Sequence, residues 1–256
     1  MSTSAEQQPG RYRHFIIGGT IKAATTSLFN YISAHPEVCG SKVKETFFFS
    51  RDYIGDPAAD AAKYAAYFSP QPGASVLFEA SPNYLAYKEN VAPRIAALLP
   101  DVKLLFVLRN PVARLYSHFN FAKGKLELPQ ALSFEDFIEL CERFDRGEIT
   151  PAQAGVAEKH LRALEIGHYG RHLEKFYSTF DATRIKVIFF DELKDSPAKV
   201  LADISEFIGV DADFYRDFSM GRANVTFSAR LKYLHYAALL VNRLSESLLR
   251  HRPALK

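Results

Sequence analysis

The chain has 256 residues, 48% of them hydrophobic, which is enough to bury one α/β core of ordinary size. Lysine and arginine total 32 against 29 aspartate and glutamate, a net charge of +3; this near-balance excludes a nucleic-acid-coating surface and leaves any anion site to local arrangement. Cys39 and Cys141 are too few for a disulfide framework, no Cys/His cluster has metal-ligand spacing, and no run approaches the roughly twenty apolar residues of a membrane span.

A single domain over residues 1–256 is therefore predicted, with 1–10 flexible. The N-terminus lacks a signal peptide's apolar core, so a soluble protein of the reducing cytoplasm is expected, with no nucleic-acid partner.

Phe15-Ile16-Ile17 is a short apolar run closed by Gly18-Gly19, the pattern of a buried strand ending in a tight turn. The loop Thr20-Ile21-Lys22-Ala23-Ala24 follows, and Thr25, Thr26 and Ser27 are placed to cap a helix whose apolar side carries Leu28, Tyr31 and Ile32. A strand, a small-residue loop with one lysine and a helix start make an anion cradle, because free N–H groups and the helix dipole converge on the loop. The guest expected there is a phosphate.

Val38-Cys39-Gly40 leads into Ser41-Lys42-Val43-Lys44-Glu45-Thr46-Phe47-Phe48-Phe49, a strand-like stretch broken by charges. Alone, Lys44-Glu45 reads better as a surface charge pair beside core aromatics. Residues 60–68 predict an alanine-rich helix, followed by a Pro/Gly loop at 69–73 and a short buried strand at Val76-Leu77-Phe78 that runs into Glu79-Ala80-Ser81-Pro82-Asn83-Tyr84.

A short helix spans 91–99, and Lys103 to Leu108 is the clearest strand, with Arg109 at its C-terminal end. Asn110 then caps a helix that has Pro111 at its first position and sets Asn110, Arg114 and Ser117 on one stripe. Ser133 with Asp136 predicts a capping box for an amphipathic helix, and Asp145 to Gln153 is a polar segment suited to a mobile loop over a substrate. A helix after Gly167-His168-Tyr169, with Leu173, Phe176 and Tyr177 on its apolar side, precedes a last strand at 185–190. Pro197 to Ile208 reads as a helix closed by Gly209, and 228–249 as a long one.

Taken in order, these motifs resemble those of sulfotransferases that use 3′-phosphoadenosine 5′-phosphosulfate (PAPS), of the soluble, bacterial type similar to the heparan sulfate sulfotransferase domain. The loop matches their Gln-Lys-x-Gly-Thr-Thr phosphosulfate motif, with Ile21 for the glutamine and Ala24 for the glycine. The second match is Arg109-Asn110-Pro111 through Ser117-His118, which resembles the 3′-phosphate motif with Arg109 and Ser117 in the binding positions. Lys44-Glu45 with Phe48 and Phe49 matches Lys-Glu-x-His-Phe-Phe, with Phe47 for the histidine, and Glu79 to Tyr84 matches Glu-Lys-Ser/Thr-Pro-x-Tyr, with Ala80 for the lysine. A weaker match joins Arg222, Asn224 and Arg230 to a loop that closes over the nucleotide.

The resemblance implies a P-loop-containing α/β fold, a central parallel sheet flanked by helices, with PAPS as donor and no metal. Nucleotide contacts then fall to Lys22, Ala23, Ala24, Thr25, Thr26, Ser27, Arg109, Ser117, Arg222, Asn224 and Arg230. Lys22 would meet charge on the leaving phosphate, and Glu45, beside Lys44, would take the acceptor's proton; Glu79 and His118 are the other candidate bases. The acceptor is a small molecule, a glycan or a lipid. Two other readings are a magnesium-dependent nucleotide kinase, opposed by the absence of Walker spacing, and a non-catalytic nucleotide-binding protein, kept open by Ala24, Phe47 and Ala80.

Overall fold

In the computed structural model, residues 12–87, 89–216 and 218 are described. Five strands, β1 Arg13–Gly19, β2 Val38–Gly40, β3 Val76–Ala80, β4 Lys103–Leu108 and β5 Ile185–Phe189, form one sheet in the order β2-β3-β1-β4-β5. Every pairing is parallel, so each connection must cross back over the sheet. Helices α1 (Thr25–Ser33), α2 (Pro57–Ala65) and α3 (Ala92–Leu98) precede β4. They are followed by α4 (Pro111–Gly124), α5 (Phe134–Asp145), the single turns α6 (Pro151–Ala154) and α7 (Glu158–Leu161), α8 (Tyr169–Tyr177), α9 (Phe190–Asp195) and α10 (Pro197–Ile208).

The apolar runs of β1, β3 and β4 are continuous because both faces of the sheet are covered. Phe15, Ile17, Phe78, Leu105 and Val107 pack with Leu28 and Ile32 of α1 and Leu201, Ile204 and Ile208 of α10. On the other face Ile16, Leu77, Leu104 and Phe106 pack with Tyr64 of α2, Ile95 of α3 and Phe176 of α8. Gly18 and Gly19 close β1 because a Cβ there would meet the Phe106 ring and Leu85 respectively.

The chain divides into two compact units, and the division falls within α4. The first comprises the sheet and residues up to Arg114, rejoined at His168; the second, Leu115–Gly167, has its own core of Leu115, Phe119, Phe137, Cys141 and Leu161.

Most predicted elements are found, with shifts that have local causes. α2 starts at Pro57 because the Asp56 side chain accepts from Ala58 N and Ala59 N. Residues 41–47 form no strand, and 48–52 make a π-helical turn that buries Phe48 and Phe49 together. Ser133 caps α5 by accepting from Asp136 N, while the full capping box lies at α6, between Thr150 and Gln153, inside the segment expected to be a loop. Tyr177 is 46% exposed rather than part of α8's apolar side. The helix expected at 228–249 lies outside the described residues.

α10 ends as its sequence predicts, at a left-handed Gly209 (φ 77°). Arg13 Nη1 donates to the carbonyls of Ile208 and Gly209, both at 2.8 Å, so β1 is tied to the negative end of α10. A Cβ on Gly209 would strike that guanidinium as well as strain the backbone. Gly209→Ala should therefore lower stability by about 1–3 kcal/mol in urea unfolding, whereas Gly170→Ala, in α8 with open space at its Cβ, should raise it by about 0.5–1 kcal/mol.

Candidate active site

The C-terminal ends of parallel strands collect ligands because the loops leaving them share one edge and the helices that follow aim their N-termini there. At this edge the loop after β1 carries Lys22, and it stays joined to its neighbour through Thr20 N, which donates to Val107 O of β4 at 3.0 Å. Lys22 (φ 66°) and Ala24 (φ 60°) are both left-handed. Ala23 between them is fully buried, Thr25 is nearly so, and Thr26 is exposed.

The predicted hydroxyl cap is not used. α1 begins at Thr25 itself, its N-cap is Ala24, and that residue's side chain makes no cap hydrogen bond. The helix also has no acidic residue in its first turn, so the positive end of its dipole meets no carboxylate from the helix itself.

Arg109, at the end of β4, closes the other side of this loop. Its Nη1 donates to Lys22 O at 2.9 Å, and its guanidinium lies over the Phe190 ring at 4.6 Å. Its own carbonyl accepts from Tyr169 Oη at 2.8 Å, and the fully buried Arg114 also hydrogen-bonds that hydroxyl. Burial pushes the Tyr169 hydroxyl's pKa up, against the pull of both arginines. Tyr169 and Phe190 escaped the sequence reading as site components; the only signal was Tyr169's place after Gly167-His168, ahead of a helix.

On the other side of β1, β3 carries the second group. Ser81 N donates to Ile17 O at 3.0 Å and Leu85 N to Gly18 O at 2.8 Å, so the turn after β3 is fastened to the end of β1. Strand alternation turns Ala80 into the core shared with α1 and sends Glu79 to the opposite, aromatic face. Glu79 is fully buried. Its Oε2 accepts from Thr46 Oγ1 at 2.5 Å and Ser81 Oγ at 2.8 Å, and its Oε1 from Tyr84 Oη at 3.2 Å. Burial raises the pKa of this carboxyl group, and the hydroxyl donors oppose that rise.

Lys44 and Glu45 hang from the same turn, since Glu45 N donates to Ala80 O at 3.1 Å. Their side chains pair at 2.9 Å and are 17% and 38% exposed. Of the three candidate bases, Glu45 alone has a side chain open to solvent, with Glu79 at 0% and His118 at 7%. Glu45 (φ 65°) and Phe47 (φ 54°) are again left-handed, so four non-glycine residues in this conformation belong to the two segments that carry Lys22 and Glu45.

The unit division separates Ser117 and His118 from these residues, and they are described with the second unit. Ser117 is half-buried on α4. His118 Nε2 lies 3.1 Å from His160 Nδ1, and His160 Nε2 lies 3.0 Å from Glu127 Oε2, which Lys159 also pairs at 2.6 Å. Burial lowers the pKa of His160 despite Glu127. Arg222, Asn224 and Arg230 lie outside the described residues. Among the described residues no helix is long and apolar enough to cross a membrane.

The model of the sulfotransferase domain matches residues 13–229. The chain belongs to this sulfotransferase family. It is 31% identical over 217 residues to the mouse bifunctional heparan sulfate N-deacetylase/N-sulfotransferase 1 and 30% identical to the human protein of that name. Each alignment takes in 81% of this chain but 23% of the relative, so the chain spans about a quarter of those proteins' length. A solved sulfotransferase from Alicyclobacillus acidocaldarius aligns at 27% identity and TM-score 0.65, covering 94% of this chain and 96% of its own. The sulfotransferase domain of the curacin biosynthetic pathway, at 14% identity and TM-score 0.50, shares the fold.

Within this sulfotransferase, Ala24 holds a left-handed position that costs an alanine roughly 1–2 kcal/mol and a glycine almost nothing. Gly also gains unfolded-state entropy, which offsets part of the relief. Ala24→Gly should accordingly change stability by about 0 to +1 kcal/mol, and Ala24→Val should lower it by at least about 1 kcal/mol, both read from urea midpoints.

Proposed function

We propose that this sulfotransferase moves the sulfuryl group of PAPS to a hydroxyl or amine of an acceptor by in-line displacement, without a metal. The observation that carries the reading is the uncapped N-terminus of α1 beside Lys22, with Arg109 fastened to the Lys22 carbonyl. An anion there meets the leading N–H groups of a helix, the positive end of its dipole and a lysine at the sheet edge where ligands collect. Family membership supplies the reaction class.

PAPS supplies an activated sulfuryl group whose leaving group is a phosphate. In this reading the N–H groups of Thr25, Thr26 and Ser27 and their hydroxyls hold the 5′-phosphate, and Lys22 neutralises charge that grows on the bridging oxygen. Arg109 and Ser117 are assigned the 3′-phosphate by their motif match. Glu45 accepts the acceptor's proton, because it is the candidate base with an exposed carboxylate, and Lys44 pairs with it. An acceptor panel begins with amino sugars and other glycans, as the relatives' name suggests, and continues to lipid and small-molecule alcohols.

If Arg109 reads a dianionic 3′-phosphate, 3′-phosphoadenosine 5′-phosphate should bind about ten- to a hundredfold more tightly than AMP in calorimetry, a difference of roughly 1.5–3 kcal/mol. Equal affinities would refute this assignment.

Lys22 and Glu45 should separate kinetically. Lys22→Ala should lower kcat at least about a hundredfold, since one preorganised donor to developing charge is worth roughly 3–4 kcal/mol, while nucleotide affinity falls less. Glu45→Gln should leave nucleotide affinity intact and cut kcat by about 10²–10⁴-fold with an unactivated alcohol, less with an acidic phenol. Turnover should persist in EDTA; loss of activity restored by magnesium would favour kinase-like chemistry.

A further inference from the structure

The buried carboxylate of Glu79 orders more than its three hydroxyl partners. Phe47 N donates to Ser81 Oγ at 3.1 Å, Phe48 N to Thr46 Oγ1 at 3.3 Å and Phe49 N to Tyr84 Oη at 3.3 Å. These three hydroxyls are the ones that give their protons to Glu79. Each hydroxyl has a single proton, so by donating to the carboxylate it turns its lone pairs towards one of three consecutive amides. One acceptor-only group therefore fixes the polarity of the whole set. Glu79 has no lysine or arginine among the causes that act on its carboxyl group, and Ala80 beside it is neutral, so hydroxyl donors are what oppose the upward pull of burial.

The segment ordered in this way begins at Glu45. Thr46 lies between two left-handed residues, Glu45 and Phe47, a conformation that persists only where neighbours over-determine it. Anchors occur at each step: Glu45 N on Ala80 O, Thr46 Oγ1 on Glu79, and the amides of 47–49 on the hydroxyl set. We propose that Glu79 is a positioning residue for sulfuryl transfer, whose acceptor-only carboxylate, acting through Thr46, Ser81 and Tyr84, holds Glu45 in its strained, outward-facing geometry. This rests on the assignment of Glu45 as the base. A glutamine at position 79 replaces one accepting oxygen by an NH2 donor, so at least one hydroxyl loses the acceptor of its proton and must reorient, which disturbs its contact with the backbone amide that it serves.

The test compares Glu79→Gln, Thr46→Val, Glu45→Gln and the Glu79→Gln/Glu45→Gln double variant, with melting curves to show that each is folded. Glu79→Gln should lower kcat at least about tenfold while the Kd for 3′-phosphoadenosine 5′-phosphate stays within about threefold. In the Glu45→Gln background the same change should lower kcat no further, because a group acting through Glu45 has nothing left to position. Hydrogen exchange of the Phe47, Phe48 and Phe49 amides should quicken at least about tenfold in Glu79→Gln, and that of Phe48 in Thr46→Val. Thr46→Val keeps the side chain's shape, so it reports on the network even if Glu79→Gln fails to fold. Near-normal kcat in Glu79→Gln, unchanged amide exchange, or a further loss of kcat in the double variant would each overturn the inference. A wild-type protein that binds no 3′-phosphoadenosine 5′-phosphate and turns over no acceptor would instead refute the donor assignment, leaving the exchange data to decide whether Glu79 orders the segment.

Discussion

The parallel pairing of β1 with both β3 and β4 is the constraint on which the site depends. Because the three strands run the same way, their C-terminal ends lie on one edge, and the segments that leave them must share it. Backbone hydrogen bonds then stitch those segments together across the strand ends: Thr20 to Val107, Ser81 to Ile17, Leu85 to Gly18 and Glu45 to Ala80. The segments that carry Lys22, Arg109, Glu79 and the Lys44-Glu45 pair are brought to one edge of the sheet by this stitching, although they are spread over some ninety residues of sequence.

Two treatments of polar groups coexist along that edge. Around α1 the first turn has no side-chain cap from its N-cap residue and no carboxylate of its own. Around β3 the polar groups are satisfied internally, with Glu79 taking three hydroxyl protons in a setting of buried aromatic rings. An unmet helix terminus can remain at a surface because water substitutes for the ligand, whereas a buried carboxylate must have its donors within the protein. The first arrangement suits binding and the second suits rigidity, and left-handed residues occur in the loops of both.

The second unit follows a simpler logic. α4 leaves the sheet behind at Arg114, and from Leu115 its apolar side serves a core shared with α5 and α7. The histidine that follows Ser117 is partnered by a second histidine and, through it, by Glu127. The polar segment from Asp145 to Gln153 holds an exposed Arg146 to Glu148 contact at 2.6 Å and the Thr150 capping box. Polar composition there marks local hydrogen bonding rather than an absence of structure.

The sequence by itself determined the elements whose signals are local. Continuous apolar runs gave β1, β3 and β4, because a strand covered on both faces needs no polar side. Asn110-Pro111 and Gly209 set the start of α4 and the end of α10, because capping involves only the nearest few residues. The places of Lys22 and Arg109 beyond strand ends were legible for the same reason, each residue following a recognisable strand. Tertiary structure decided what no local window contains. Thr46 looks like a spacer between a charge and three phenylalanines until the fold places Glu79 against it, and Tyr169 reaches Arg109 from the helix that precedes β5 and Phe190 from the one that follows it. The aromatic run at 47–49 has the composition of a strand, yet its amides are claimed by hydroxyls from residues 46, 81 and 84, so it turns instead of pairing. Hydrogen-bond partners distant in sequence overrode β propensity there, because a buried amide takes whichever acceptor the fold brings to it.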